Sequence, residues 1–303
     1  MRNCFLLAFV FAALVRASVA ADLLPADQSP ESVIDHYVES LLKTDKVTAA
    51  PQANDANLIR RLMLDLAGRI PTTAEAQDFV ASQSPTKRVE LVDRLLASPD
   101  FVWHHRNEFD ALLQQQHRHN DEFRKYLLWA VEQNRPWHTM FQDMLAGDES
   151  DEHQKRAMFF VRNRTRDIDD ITIDTSVLFF GVNVSCAKCH DHPLVEDWKQ
   201  DHFYGLTSFF SRTYLGKKEG LGENFSGEVK FKTTKGVEKQ AKFMFLSGSV
   251  IDEPPLERTA EQKKEVEEAI KKFMKEDNSP PAPKAAAESL KHRALRACWF
   301  RVS

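Results

Sequence analysis

Cysteine, glycine and long apolar runs are all scarce in this chain. Four cysteines in 303 residues are too few for a disulfide scaffold. Seven of the ten glycines crowd between Gly205 and Gly248, so the chain before them has almost none of the turn chemistry of an all-β fold. The GxSxG, HExxH, P-loop and GxGxxG signatures are missing, which leaves hydrolase and nucleotide chemistry without a motif behind them. Forty-five acidic against 41 basic side chains give −4, and no Lys/Arg run interleaved with aromatics occurs before the C-terminal stretch, so no nucleic-acid surface is expected. What is present, 42% hydrophobic and 28% charged residues, describes an ordinary globular chain.

The one apolar stretch able to meet a membrane lies at the N-terminus. Arg2 supplies a positive start, Phe5 to Val15 is too short to span a bilayer, and Ser18-Val19-Ala20 sets small residues at a cleavage position. Residues 1–20 therefore read as a secretory signal peptide, the expected location is periplasmic or secreted, and no stable membrane span is expected after cleavage. Cleavage removes Cys4 and leaves Cys186, Cys189 and Cys298 in an oxidising space.

Residues 29–214 predict a mainly α, multi-helix, bundle-like domain. Ser29-Pro30 opens a helix with Val33, Tyr37, Leu41 and Leu42 on one face. The next carries Leu58, Ile59, Leu62, Met63 and Leu66 as its core stripe, with Arg60, Arg61 and Asp65 off it, and stops at Gly68. Thr72-Thr73-Ala74-Glu75 is a capping box for a helix burying Ala76, Phe79 and Val80. Ser84-Pro85 starts one with Val89, Val92, Leu95 and Leu96 inside, and Ser98-Pro99 repeats the device. Periodic segments follow over about 121–133, 137–146 and 168–180, the last ending at Gly181. Met140, Met144 and Met158 are expected in the helical core, Asp167, Asp169 and Asp170 at a helix N-terminus, and His104, His105, His117 and His119 on a solvated face.

Beyond residue 214 the pattern changes. Val229/Phe231/Thr233 and Ala241/Phe243/Phe245 alternate on either side of Lys235-Gly236, a hairpin signal that places a small β-containing region at 215–256. A charged helix over 257–278 follows, then a Pro-rich linker and disordered tail over 279–303.

One motif carries chemistry. Cys186-Ala187-Lys188-Cys189-His190 is CxxCH, the spacing at which two thiols add to the vinyl groups of a haem while the imidazole reaches its iron. Chance supplies it on the order of 0.001 times per chain of this Cys and His content. Three readings are open. The pair can close a disulfide; Cys186, Cys189, His190 and His192 or His202 can form a structural, zinc-type set; or Cys186 and Cys189 can tether haem c with His190 as axial ligand. The haem reading leads, because a His directly after the second Cys is required there and only permitted in the others. His202 and Met244 are candidates for a sixth iron ligand, whereas His192 serves only the zinc-type set. Trp198, Phe203, Tyr204, Phe209 and Phe210 are expected to cover a porphyrin edge, and the expected role is electron transfer with an unidentified redox partner.

The ordered motifs Leu58 to Thr72, Leu91 to Pro99 and Cys186 to Pro193, with Trp198, Asp201, Phe203-Tyr204-Gly205-Leu206 and Phe209-Phe210, resemble the planctomycete cytochrome-c-like domain family, catalogued as domain of unknown function number fifteen forty-nine. The resemblance covers about residues 31–214. It implies an exported protein of planctomycete-type bacteria with a haem-type CxxCH and no established reaction. Members often continue into a second domain, so the chain resembles the N-terminal domain of a truncated member.

Overall fold

The computed structural model describes residues 24–25, 27–115, 119–148, 150–195, 197–216, 220–224, 227–252 and 259–276. The signal-peptide expectation, Cys298, His117 and the 279–303 tail lie outside them. The chain divides into two units, residues 1–57 and 58–303. The first contains helix α1 (Pro30–Asp45), where the Ser29 hydroxyl accepts from the Ser32 N–H and Pro30 occupies the first turn. None of its residues is buried; the expected apolar face is there, with Tyr37 and Leu41 exposed.

The second unit builds two helical cores. Around the first gather α2 (Asp55–Ala67), α3 (Thr73–Ala81) and α4 (Lys87–Leu96), with Ile59, Met63, Ala67, Phe79, Leu91 and Leu95 buried and Leu58, Leu62 and Leu66 packed against them. The stripe on α2 is the expected one, and Arg60, Arg61 and Asp65 are exposed. Thr72 and Glu75 form the expected capping box on α3. Two side-chain expectations are corrected. Val80 is exposed on α3, and α4 buries Leu91 and Leu95 while Val89 and Leu96 face outward, because an i, i+4 pair of leucines, not the flanking residues, meets α2.

The larger core is made by α5 (Pro99–Gln114), α6 (Asp121–Glu132), α7 (Trp137–Ala146), α8 (Glu152–Ala157), α9 (Phe159–Arg162), α10 (Ile168–Phe180) and α11 (Gln200–Ser208). Leu113, Phe123, Tyr126, Leu127, Met144, Ala157, Phe160 and Val161 are essentially inaccessible in it, and Met140 and Met158 are buried as expected. Two buried charges here are held by several hydrogen bonds each. Asp143 accepts from Tyr126 Oη at 2.8 Å and from Arg135 Nε and Nη2 at 2.5 and 2.9 Å. Arg164, with no exposed surface, donates to Asp174, the Phe160 carbonyl and the Leu113 carbonyl. Of the histidines expected on a solvated face, His119 is exposed and reaches the buried carboxylate of Asp110 at 2.9 Å, beside Arg124, whereas His104 and His105 are half-buried.

Helix α10 sets the site that follows it. Asp167 caps its first turn by accepting from the Asp169 N–H, and Gly181, at φ 67°, ends it in the left-handed region that favours glycine. After α11 come three two-stranded antiparallel hairpins: β1 (Thr213–Leu215) with β2 (Leu221–Glu223), β3 (Lys230–Lys232) with β4 (Glu238–Gln240), and β5 (Phe243–Met244) with β6 (Val250–Ile251). The expected turn at Gly236 is present, but Phe231 pairs with Lys239, and Phe243 leaves to pair with Ile251. Helix α12 (Ala260–Lys275) closes the described chain, capped by Thr259 and burying Val266 and Phe273. No described helix is long and apolar enough to cross a membrane.

Candidate functional site

The CxxCH segment occupies the link between α10 and α11. Residues Ser185–Lys188 form a 3-10 helix, and the Cys189 and His190 N–H groups both donate to the Cys186 carbonyl at 3.3 Å. A 3-10 turn has three residues, so positions i and i+3 eclipse. Cys186 and Cys189 therefore share one face of the turn, and both thiols are free and exposed. Of the two residues between them, Ala187 points the other way: it is fully buried, with Val184 and Phe203, in a small third core.

Helix α11 holds this turn by its carbonyls. Buried Gln200 donates through Nε2 to the Lys188 and Cys189 carbonyls at 3.3 and 3.2 Å, and Tyr204 Oη donates to the Lys188 carbonyl at 3.1 Å. Burial pushes the Tyr204 phenol above its ordinary pKa, so it remains a donor through the neutral range. Tyr204 also stacks on Phe231 of β3, rings 4.3 Å apart. Lys188 pairs with Asp169 in the first turn of α10, which raises the ammonium pKa. None of these anchors was legible in the sequence, where Asp169 read only as a helix-dipole acid and Gln200 carried no signal.

The three histidines of the segment differ in which ring nitrogen is committed. His190 Nδ1 sits 2.7 Å from the Asp191 carbonyl, an acceptor, so it carries the proton and leaves the Nε2 lone pair uncommitted. His192 has the opposite arrangement: Nδ1 accepts from the Leu194 and Val195 N–H groups at 3.2 and 3.1 Å, placing the neutral ring's proton on Nε2. His202 likewise accepts at Nδ1, from the Lys199 N–H at 3.1 Å, and works as a cap on α11. His190 alone of the three presents Nε2 as a ligand without giving up a hydrogen bond.

The other site residues fall elsewhere. Met244, half-buried on β5, lies against Gly205 of α11, where a Cβ on the glycine would come within 2.7 Å of the Met244 Cβ. Among the described residues no group of three or more His, Cys, Asp or Glu side chains is placed to hold a metal ion. The expected aromatic cover is also corrected. Phe209 and Phe210 belong to the large core and Phe203 to the small one, Tyr204 is engaged with Lys188 and Phe231, and Trp198 meets His192 edge to face at 5.5 Å.

No curated protein and no solved structure matches the chain. One family does, over residues 33–214, which include the helices of both cores, the CxxCH turn and α11, and end within β1. The chain belongs to the family described as protein of unknown function (DUF1549).

Proposed function

We propose that the chain is an exported haem-c-carrying module, periplasmic or secreted, that passes single electrons to a redox partner. The observation that carries this reading is the division of labour within one turn. Cys186 and Cys189 share one face of the turn and are exposed, while His190 holds its Nδ1–H on a backbone carbonyl, the arrangement that orients an iron-ligating imidazole. The residues present fit a covalently held haem: the two thiols would add across its vinyl groups as thioethers, and His190 Nε2 would hold the iron. When bound, the group supplies a one-electron Fe(III)/Fe(II) couple. The chain's own contribution is to fix the turn through α11, to hold the imidazole tautomer, and to keep the tether at the surface, where a partner can approach.

His202 and Met244 stay secondary as sixth ligands under this reading, since His202 would first surrender its cap on α11 and Met244 its seat beside Gly205. The test is mass spectrometry of denatured protein after export with haem-attachment machinery. The intact chain is expected to keep a haem-sized increment, with peroxidase staining on a gel, and Cys189→Ala is expected to lose most of both. An unmodified mass, with the two cysteines joined to each other or one equivalent of zinc bound, would overturn the reading.

A further inference from the structure

Gln200 makes three hydrogen bonds to two separate pieces of chain, and all of them are to backbone. Its Nε2 donates to the Lys188 and Cys189 carbonyls, and its Oε1 accepts from the Thr234 N–H at 3.2 Å, in the β3–β4 connection. The residue is 5% exposed, at the first position of α11. A primary amide is the one uncharged side-chain group that donates two hydrogen bonds and accepts at a second atom, so Glu, Leu and Met cannot reproduce the set. The donors end on the carbonyl of Cys189 itself and on that of its neighbour, within the turn that brings the two thiols to one face. Tyr204 reinforces only the Lys188 carbonyl, and the Lys188–Asp169 pair acts on a side chain that is nearly half exposed. The Cys189 carbonyl therefore depends on Gln200.

We infer that Gln200 is the positioning residue of the CxxCH turn, fixing the two thiols side by side and tying the turn to the β3–β4 hairpin. The inference rests on the haem reading only for its purpose; the clamp itself is a property of the chain without haem. It goes beyond the motif, since it makes the hairpin after α11 part of the site's support. The clamp acts through the backbone and touches no reacting atom.

The experiment uses the full exported chain without haem, equilibrated against reduced and oxidised glutathione. Glutathione disulfide takes two electrons and two protons from Cys186 and Cys189, which join as a disulfide while two glutathione thiols form, so the equilibrium constant reports how closely the turn presents the pair. Gln200→Glu keeps the acceptor for Thr234 but loses both donors, and Gln200→Leu loses all three bonds. Each is expected to lower the constant about tenfold, the scale of roughly 1.4 kcal/mol. Tyr204→Phe, which leaves the Cys189 carbonyl served, is expected to change it about threefold or less. A constant unchanged within about twofold, or raised, in a folded Gln200 variant overturns the inference. Should neither variant fold, the wild-type chain still decides: the Gln200 side-chain amide protons are expected to exchange with solvent far more slowly than those of exposed Gln77, and equal rates overturn the inference. Failure of haem attachment in the mass-spectrometric test bears on the function proposed above and leaves the glutathione result standing.

Discussion

The large helical core and the CxxCH turn handle polar chemistry in opposite ways. In the core, charge is buried and closed off: Asp143 and Arg164 spend their hydrogen-bonding capacity on Tyr126, Arg135, Asp174 and backbone carbonyls. At the turn, the backbone is what is clamped, by Gln200 and Tyr204, while the thiols and the His190 ring stay exposed. A buried, satisfied polar group specifies a fold; an exposed reactive group on a fixed backbone is available for chemistry. The comparison separates residues that hold the structure from those that do something with it.

The contrast breaks most sharply at Asp143. Asp143→Ala strands Arg135 and the Tyr126 hydroxyl, and removing one partner of such a set should cost about 3–5 kcal/mol in denaturant or thermal melts. A loss near that of a surface acid would place the triad outside the cooperative core. The smaller core gives the next effect. Met63, 1% exposed, should cost about 2–5 kcal/mol as Met63→Ala, while exposed Asp65→Ala on the same helix should cost well under 1 kcal/mol. Equal losses would mean that the charged face of α2 is covered after all.

The turn itself is sharpened by its buried side. Ala187 fills the space between Val184 and Phe203, so Ala187→Leu should overpack it and cost about 1–3 kcal/mol, whereas Cys186→Ala and Cys189→Ala should leave the apo-chain's melt nearly unchanged. The smallest effect is a pH dependence at α3. The Arg69 guanidinium and the Thr72 N–H hold the Glu75 carboxyl down to about 2. A depressed acid contributes stability above its unfolded value, about 4.3, and loses it as pH falls toward 2. Wild type should thus exceed Glu75→Gln by less than about 1 kcal/mol at pH 6, since the pair is partly exposed and screened, and the gap should close between about pH 4.5 and 2. A gap that persists at pH 2 would assign the stabilisation to packing.

Much of the frame was legible because its signals are local. Ser29, Thr72, Ser98 and Asp167 cap helices through their own side chains, and Gly181 ends α10 in the one region where its missing Cβ matters. The α2 stripe was readable for the same reason. On α4, with Val89, Leu91, Val92, Leu95 and Leu96 all apolar, periodicity could not choose the face; the partner helix did. At the site, CxxCH and His190 were visible as a motif, but the clamp was not. Gln200, Tyr204 and Asp169 reach the turn from outside it, Thr234 is joined to it only through Gln200, and nothing in their spacing marks them. The same gap misassigned Phe209 and Phe210, whose aromatic character fits a porphyrin edge and a helix core equally well.

The claim on which the account turns is that Cys186 and Cys189 tether a haem whose iron His190 holds. The direct measurement is the pyridine haemochrome spectrum of the purified chain, exported alongside haem-attachment machinery and washed with acidified acetone to strip any haem that is not bonded. The account predicts the spectrum of haem joined through two thioethers, with one haem per chain. Cys186→Ala should shift it to the form that retains one free vinyl group, and the double cysteine variant should lose it. A wild-type chain that emerges colourless, while a control cytochrome made in the same cells acquires its haem, would contradict the account.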